Sequence, residues 1–310
     1  MSTYDEDAKR MLHSTKGREA LGKLLGIDII PPGEQPKDDL PIVAACVPVY
    51  DHPEPRMSEA YNLMQRASAG VCKLFSVPSV STSAIHFSRN YLLANLIKSQ
   101  KPWTHVLFID DDIIFPPDAL NRLLSHRKDI VAGLCTCRTD PPIPNIRHFN
   151  SETGRYSEYL HWPEGLMEVG AVGTGMMLIS RHALEQVANA WFTCLYEREF
   201  YGMSDERALA LQEKRLAYFD ETANAYWFQW LPCMDGTYQM GEDTSFCFMA
   251  KRYGDIKVYC DTTVACGHVG KYVYSIADFL PYRDQMVEQA KAEGRYVPLP
   301  KVDAELEIVG

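Results

Sequence analysis

Apolar residues in the first half of the chain gather in short continuous runs instead of strict alternation. Ile42-Val43-Ala44-Ala45-Cys46-Val47-Pro48-Val49-Tyr50, Val106-Leu107-Phe108-Ile109 and Ile130-Val131-Ala132-Gly133-Leu134 are such runs, the first broken by Pro48. Runs this short predict strands buried on both faces, in a sheet covered by helices. Between them the spacing turns helical. Met57, Leu63, Met64, Ala67, Val71 and Leu74 predict one helix after a polar loop. Tyr91 to Ile97 predicts a second, with Ser88 as its N-cap, and Leu120, Leu123 and Leu124 a third, opened by Pro117 and Asp118. Strand, loop and helix in repetition predict an α/β fold, with ligands at the carboxyl ends of the strands.

Farther on, Asp140-Pro141-Pro142-Ile143-Pro144 is too proline-rich for regular structure, and the polar stretch to Gly165 reads as irregular or hairpin. Met167 to Arg181 is strand-like, with glycines at 170, 173 and 175 that allow close approach by a neighbouring strand or by a ligand. It leads into an apolar strand, so it is no GxGxxG fingerprint. Residues 182–232 hold a helical stretch and aromatics (Trp191, Phe192, Tyr196, Phe200, then Tyr226 to Trp230) that belong mostly in a core. Phe246, Met249, Ala250 and Tyr253 predict a helix that Glu242 and Asp243 open and Gly254 ends. A strand follows at 256–259, and then the run Val264-Ala265-Cys266-Gly267-His268. Residues 1–38 form a helical extension (Met11, Leu21, Leu24, Leu25) and a proline-rich linker, 39–280 the main domain, and 281–310 a polar C-terminal tail.

Charge narrows the partners. A net charge of −10 disfavours a nucleic-acid backbone or an anionic membrane as a broad electrostatic partner. No run of 18 apolar residues marks a transmembrane helix, and no basic-then-apolar start marks a signal peptide, so a cytoplasmic location is the expectation. The nine cysteines form no Cys-x-x-Cys pair. Free thiols fit better than disulfides or structural zinc.

The candidate chemistry sits where the second run ends, at Asp110-Asp111-Asp112. If the strand continued, Asp110 and Asp112 would share one face and Asp111 the other. Two carboxylates about 5 Å apart repel by roughly 3 kcal/mol at an effective dielectric near 20, so the pair calls for a cation. Oxygen ligands at a partly open site suit Mg²⁺ or Mn²⁺, with diphosphate oxygens and water completing the shell. Arg89, read as first-turn, needs an anionic partner against the helix dipole, which a diphosphate or a strand-end aspartate would supply.

In this order the motifs resemble the GT-A glycosyltransferases, particularly family-2-like members. The resemblance covers about residues 42–270: the Pro48-Val49-Tyr50 strand end, Arg89-Asn90 on a helix, the Asp110-Asp111-Asp112 DxD motif, Gly173-Thr174-Gly175 with Arg181, the Glu242-Asp243 pair, and His268 after the final strand. It implies a GT-A fold with a mostly parallel central sheet and helices on both faces, a UDP- or GDP-sugar donor and Mn²⁺ or Mg²⁺. Asp112 and His268 would hold the metal, with Asp110 on the donor ribose or in the metal shell. Pro48, Tyr50, Arg89, Asn90, Asp111, Gly173 and Gly175 would line the donor site, with Arg89 at the diphosphate. Asp243 would be the general base of an inverting transfer, with Glu242 orienting the acceptor. Residues 186–236 would be an acceptor-specific insertion, and a saccharide, a protein, a lipid or a modified nucleobase could be the hydroxyl acceptor. A nucleotidyltransferase of related fold and a non-catalytic nucleotide-sugar or glycan-binding module are the alternatives.

Overall fold

In the computed structural model, residues 40–299 are described, apart from 51, 80–83, 234–235 and 271. The expected N-terminal helix and linker, and the end of the tail, lie outside the described residues. The first strand, β1 (Ile42–Cys46), pairs in parallel with β2 (Lys73–Ser76) on one side and β3 (His105–Ile109) on the other. Beyond β3 come β10 (Met176–Ser180), β5 (Ile130–Leu134), β13 (Val258–Ala265) and β8 (Leu166–Val169). The result is a seven-stranded mixed sheet in the order β2-β1-β3-β10-β5-β13-β8. Only β10 and β8 run against the other five.

Helices cover both faces. On one, α1 (Pro55–Ala67) and α3 (Ala119–Ser125) bury Met57, Met64, Leu120 and Leu123 against Val43, Leu107, Ile109 and Leu178. On the other, α2 (Ile85–Lys98), α4 (Arg181–Phe192) and α7 (Glu242–Gly254) pack Leu92, Leu96, Leu184, Phe246 and Met249 against Val106, Phe108, Ala132 and Met177. Successive residues of β3 thus serve opposite cores, which is why the run carries no polar face. Helices α5 (Leu195–Tyr201) and α6 (Asp205–Thr222) extend the second face. Trp191, Phe192, Tyr196, Trp227 and Phe228 are core there, while Trp230 is exposed.

Several predicted elements differ, among them the strand expected at 256–259, which runs Val258–Ala265 as β13. The first helix stops at Ala67, and Leu74 lies on β2, because Gly70 (φ +83°) turns the chain back to the sheet edge. Helix α2 starts a turn early, with Ala84 as N-cap, so Ser88 is inside it and Arg89 is past the first turn. That extra turn exposes Ile85 and Phe87, so apolar spacing gives no sign of it. The left-handed residue closing α7 is Asp255 (φ 53°), with Gly254 still helical.

The polar stretch after the proline loop is a hairpin, β6 (Ile146–Asn150) and β7 (Arg155–Glu158), which joins β9 (Ala171–Val172) in a three-stranded sheet. Gly170 permits this junction. A Cβ there would lie 2.5 Å from the Phe149 nitrogen and 2.8 Å from the Arg147 carbonyl oxygen. A second three-stranded sheet joins β4 (Ile113–Ile114), β14 (Gly267–Val269) and β15 (Val273–Tyr274). Helix α8 (Ile276–Ala292), opened by a Ser275–Asp278 capping box, buries Phe279 and Val287, so the boundary expected at 280 falls inside an element. No helix among the described residues is long and apolar enough to cross a membrane.

Candidate active site

Strand β3 ends at Ile109, and Asp110 to Asp112 form a turn fastened by Asp110 N–H on the Gly175 carbonyl (3.0 Å) and Ile113 N–H on the Asp110 carbonyl (3.2 Å). Because the strand stops first, the three carboxylates do not alternate across a sheet; each has its own partner. Asp111 accepts from the backbone N–H of Tyr50 (3.1 Å). Burial raises its pKa, and that N–H only partly offsets the rise.

Asp110 faces Arg89. Arg89 is 2% exposed, and its guanidinium donates to Asp110 Oδ1 (2.8 Å) and Glu242 Oε1 (2.6 Å). Arg89 therefore ties the turn after β3 to the start of α7. Its anionic partners are a strand-end aspartate, one of the two candidates expected from the sequence, and the helix-start glutamate, and burial of the arginine rather than a first-turn position calls for them. Burial disfavours its charge, but Asp110, Glu242 and Asp243 outweigh that and raise its pKa. Asn90 faces away: its side-chain amide closes two hydrogen bonds with the backbone of Phe228 (2.6 and 3.0 Å).

Asp112 meets His268. The antiparallel pairing of β14 with β4 sets His268 opposite Ile113, and Nε2 lies 3.2 Å from Asp112 Oδ1. Nδ1 is 2.9 Å from the Thr136 carbonyl, which can only accept, so Nδ1 carries a proton. Burial opposes charge on this imidazole, but the bonds to Asp112 and Thr136 outweigh it and raise its pKa. For Asp112, burial is likewise outweighed, by His268 and by Arg138, and its pKa is lowered. Arg138 Nη1 sits 2.8 Å from Asp112 Oδ2.

Among the described residues, no group of three or more His, Cys, Asp or Glu side chains is gathered as a metal site. Asp112 and His268 fit a divalent ion as a pair. A neutral imidazole held by a carbonyl at Nδ1 presents its Nε2 lone pair, here beside a carboxylate oxygen, and Mg²⁺ or Mn²⁺ ordinarily takes its remaining ligands from phosphate and water. Asp110, expected in the same set, has its Oδ1 on Arg89 instead.

Asp243 stands at the start of α7, half-buried, with Oδ1 accepting from Thr244 N–H (2.6 Å) and from the Thr244 hydroxyl (3.3 Å). Pro48 is buried just past β1, and Tyr50 is exposed apart from the N–H it lends Asp111. The other predicted glycines serve neighbouring chain: a Cβ at Gly173 would meet Asn145, and one at Gly175 would meet Ile113 and Cys135. Sequence reading missed Arg138, Arg147, Thr136 and Thr244. Arg147 lies in the stretch that reads as irregular or hairpin, and the others carry no motif.

No protein family and no curated protein matches the sequence. Solved structures match more distantly. A197 from STIV is 13% identical over 74% of this chain and 86% of its own, with a TM-score of 0.38. A glycosyltransferase involved in the glycosylation of the major capsid of PBCV-1 is 11% identical over 53% of this chain and 77% of its own (TM-score 0.27). The nucleoside-diphosphate-sugar pyrophosphorylase from Vibrio cholerae RC9 is 12% identical over 72% of each chain (TM-score 0.30). Similarity at this level assigns neither fold family nor activity.

Proposed function

We propose that this chain is a divalent-ion-dependent glycosyltransferase of the GT-A type, moving a sugar from a nucleotide-sugar donor to a hydroxyl acceptor. One observation carries the reading. Side chains from three distant parts of the chain meet around one turn: Glu242 reaches Asp110 through Arg89, and His268 reaches Asp112.

In this reading Asp112 and His268 hold Mn²⁺ or Mg²⁺, whose chemistry is to neutralise charge on the departing nucleoside diphosphate. Asp243 takes the acceptor hydroxyl proton as general base of an inverting transfer, and Glu242, fixed by Arg89, lines the acceptor side. The hydroxyl oxygen bonds to the anomeric carbon while the carbon–phosphate-oxygen bond breaks, its electron pair leaving on the diphosphate. Arg89 is a buried tie rather than a phosphate contact. Arg138, half-exposed beside Asp112, is the cation placed to meet the diphosphate.

The test is release of nucleoside diphosphate from UDP- and GDP-sugars with Mn²⁺ or Mg²⁺, with and without chelator. Chelator-sensitive release supports the reading, and full activity in Asp112→Ala rejects it. Pyrophosphate released from a nucleoside triphosphate would mark nucleotidyl transfer. Donor binding without turnover under any acceptor would mark a binding module.

A further inference from the structure

The hairpin β6–β7 contributes no carboxylate or imidazole to the turn at 110–112, yet one of its side chains reaches the start of α7. Arg147 Nη1 donates to the hydroxyl of Thr244 at 2.5 Å, and that hydroxyl donates to Asp243 Oδ1 at 3.3 Å. Thr244 is 3% exposed, so its hydroxyl has little water to turn to. Arg147 is fixed in turn by its own strand, opposite Glu158 on β7 and Ala171 on β9, with its carbonyl accepting from Gly170 N–H (2.7 Å).

We infer that Arg147 and Thr244 are positioning residues for Asp243: together they hold Oδ1 in place and leave Oδ2 to face the acceptor. The inference rests on the proposed role of Asp243 as base. Both hydrogen bonds that Asp243 accepts among the described residues, from Thr244 N–H and from Thr244 Oγ, use Oδ1, and Oδ2 accepts none there. A carboxylate that merely favoured a helix start would need only the backbone N–H. An arginine brought from a separate sheet to a buried hydroxyl adds orientation that a helix start does not require. Gly241 leaves space for that orientation, since a Cβ there would stand 3.3 Å from Asp243 Oδ1. In the transfer, the acceptor O–H proton moves to Oδ2, the acceptor oxygen bonds to the anomeric carbon, and the leaving diphosphate takes the electron pair of the broken bond. A side chain free to swing would lose alignment for the first of these events, and misplacement of about 1 Å at a reacting group costs on the order of 100-fold in rate.

The experiment compares Thr244→Val, Thr244→Ser and Arg147→Met with the full-length wild-type protein, scoring nucleoside diphosphate release together with donor KM and circular dichroism. The expected result is a kcat reduced by about 30-fold in Thr244→Val, donor KM within about twofold, and recovery to within about threefold in Thr244→Ser. Arg147→Met should fall between the two. Equal rates in wild type and Thr244→Val, or equal loss in Val and Ser variants that both keep native circular dichroism, would overturn the inference while leaving the glycosyltransferase reading intact. A wild-type protein that turns over no nucleotide sugar would remove both. Should Thr244→Val misfold, the Ser variant and Arg147→Met decide: wild-type rates in Arg147→Met would overturn it, and loss of kcat at unchanged KM would support it.

Discussion

His268 Nε2 lies 3.2 Å from Asp112 Oδ1, although the two residues are far apart in the chain and are brought together by the pairing of β14 with β4 and by Val269 N–H on the Asp112 carbonyl (2.8 Å). With a proton fixed on Nδ1 by the Thr136 carbonyl, Nε2 can approach a carboxylate in two ways. It can carry a second proton, or both groups can share a cation.

The shared-cation arrangement predicts linked stabilisation. Mn²⁺ with a matching nucleotide sugar at about 100 times Kd should add roughly 2.7 kcal/mol to the native state, read as a raised Tm. Asp112→Asn and His268→Ala should each abolish most of that increment, and chelator should erase it in wild type. Equal shifts in all three proteins would contradict the assignment of these two ligands.

Arg89 predicts a large stability effect distinct from ligand binding. The residue is 2% exposed and its guanidinium neutralises Asp110 and Glu242, so Arg89→Met leaves two carboxylates without their cation. Loss of about 3 kcal/mol is expected, because removing one member of a buried network leaves the others uncompensated. Arg89→Lys should recover only part, since one ammonium does not reproduce the fork that spans both acids. Denaturant midpoints at matched m-values decide this.

Glu185 sets a pH dependence that has nothing to do with the site. It is 4% exposed on α4, and burial raises its carboxyl to about 7 despite the Arg181 guanidinium 3.0 Å away. The native state then holds this proton more tightly than the unfolded chain. Its contribution is full below pH 4.5, declines as pH rises, and is gone above about 7. Glu185→Gln should remove that slope, on the order of 3 kcal/mol at most, in unfolding free energies measured from pH 4.5 to 8. A slope unchanged by the substitution would refute the assignment.

Gly267 links packing to chemistry. A Cβ there would stand 2.7 Å from Val273 Cγ1 and 2.9 Å from Ile114 Cγ1, both on branched side chains of the strands that flank it. Gly267→Ala should cost about 1–3 kcal/mol through overpacking and should push β14 off β4. The specific signature is a diminished Mn²⁺-dependent thermal shift beyond the loss of Tm itself, because His268 is the next residue.

Much of the fold was legible in order. Runs buried on both faces announced β1, β3 and β5, and helical spacing announced α3 and α7, because those segments report their burial in residue type alone. Edge strand β2 was not legible, since its half-buried residues imitate one side of the preceding helix. The first turn of α2 was hidden by exposed Ile85 and Phe87, while the polar, mostly half-buried residues of β6 and β7 left a hairpin as one of two readings, without strand bounds.

For the site, the sequence by itself determined which groups carry the charge: three aspartates at a strand end, two acids opening a helix, an arginine on a helix, and a histidine near the last strand. Only the tertiary structure decided how they are shared out. Arg89 takes Asp110 and Glu242, His268 and Arg138 take Asp112, and Arg147 reaches Asp243 through Thr244. The reason is physical: local sequence fixes side-chain type and helix or strand propensity, whereas ion pairing falls off within a few ångströms. Partners are therefore chosen by strand pairing and backbone close approach, which residues such as Gly170 and Gly267 permit without naming the neighbour they admit.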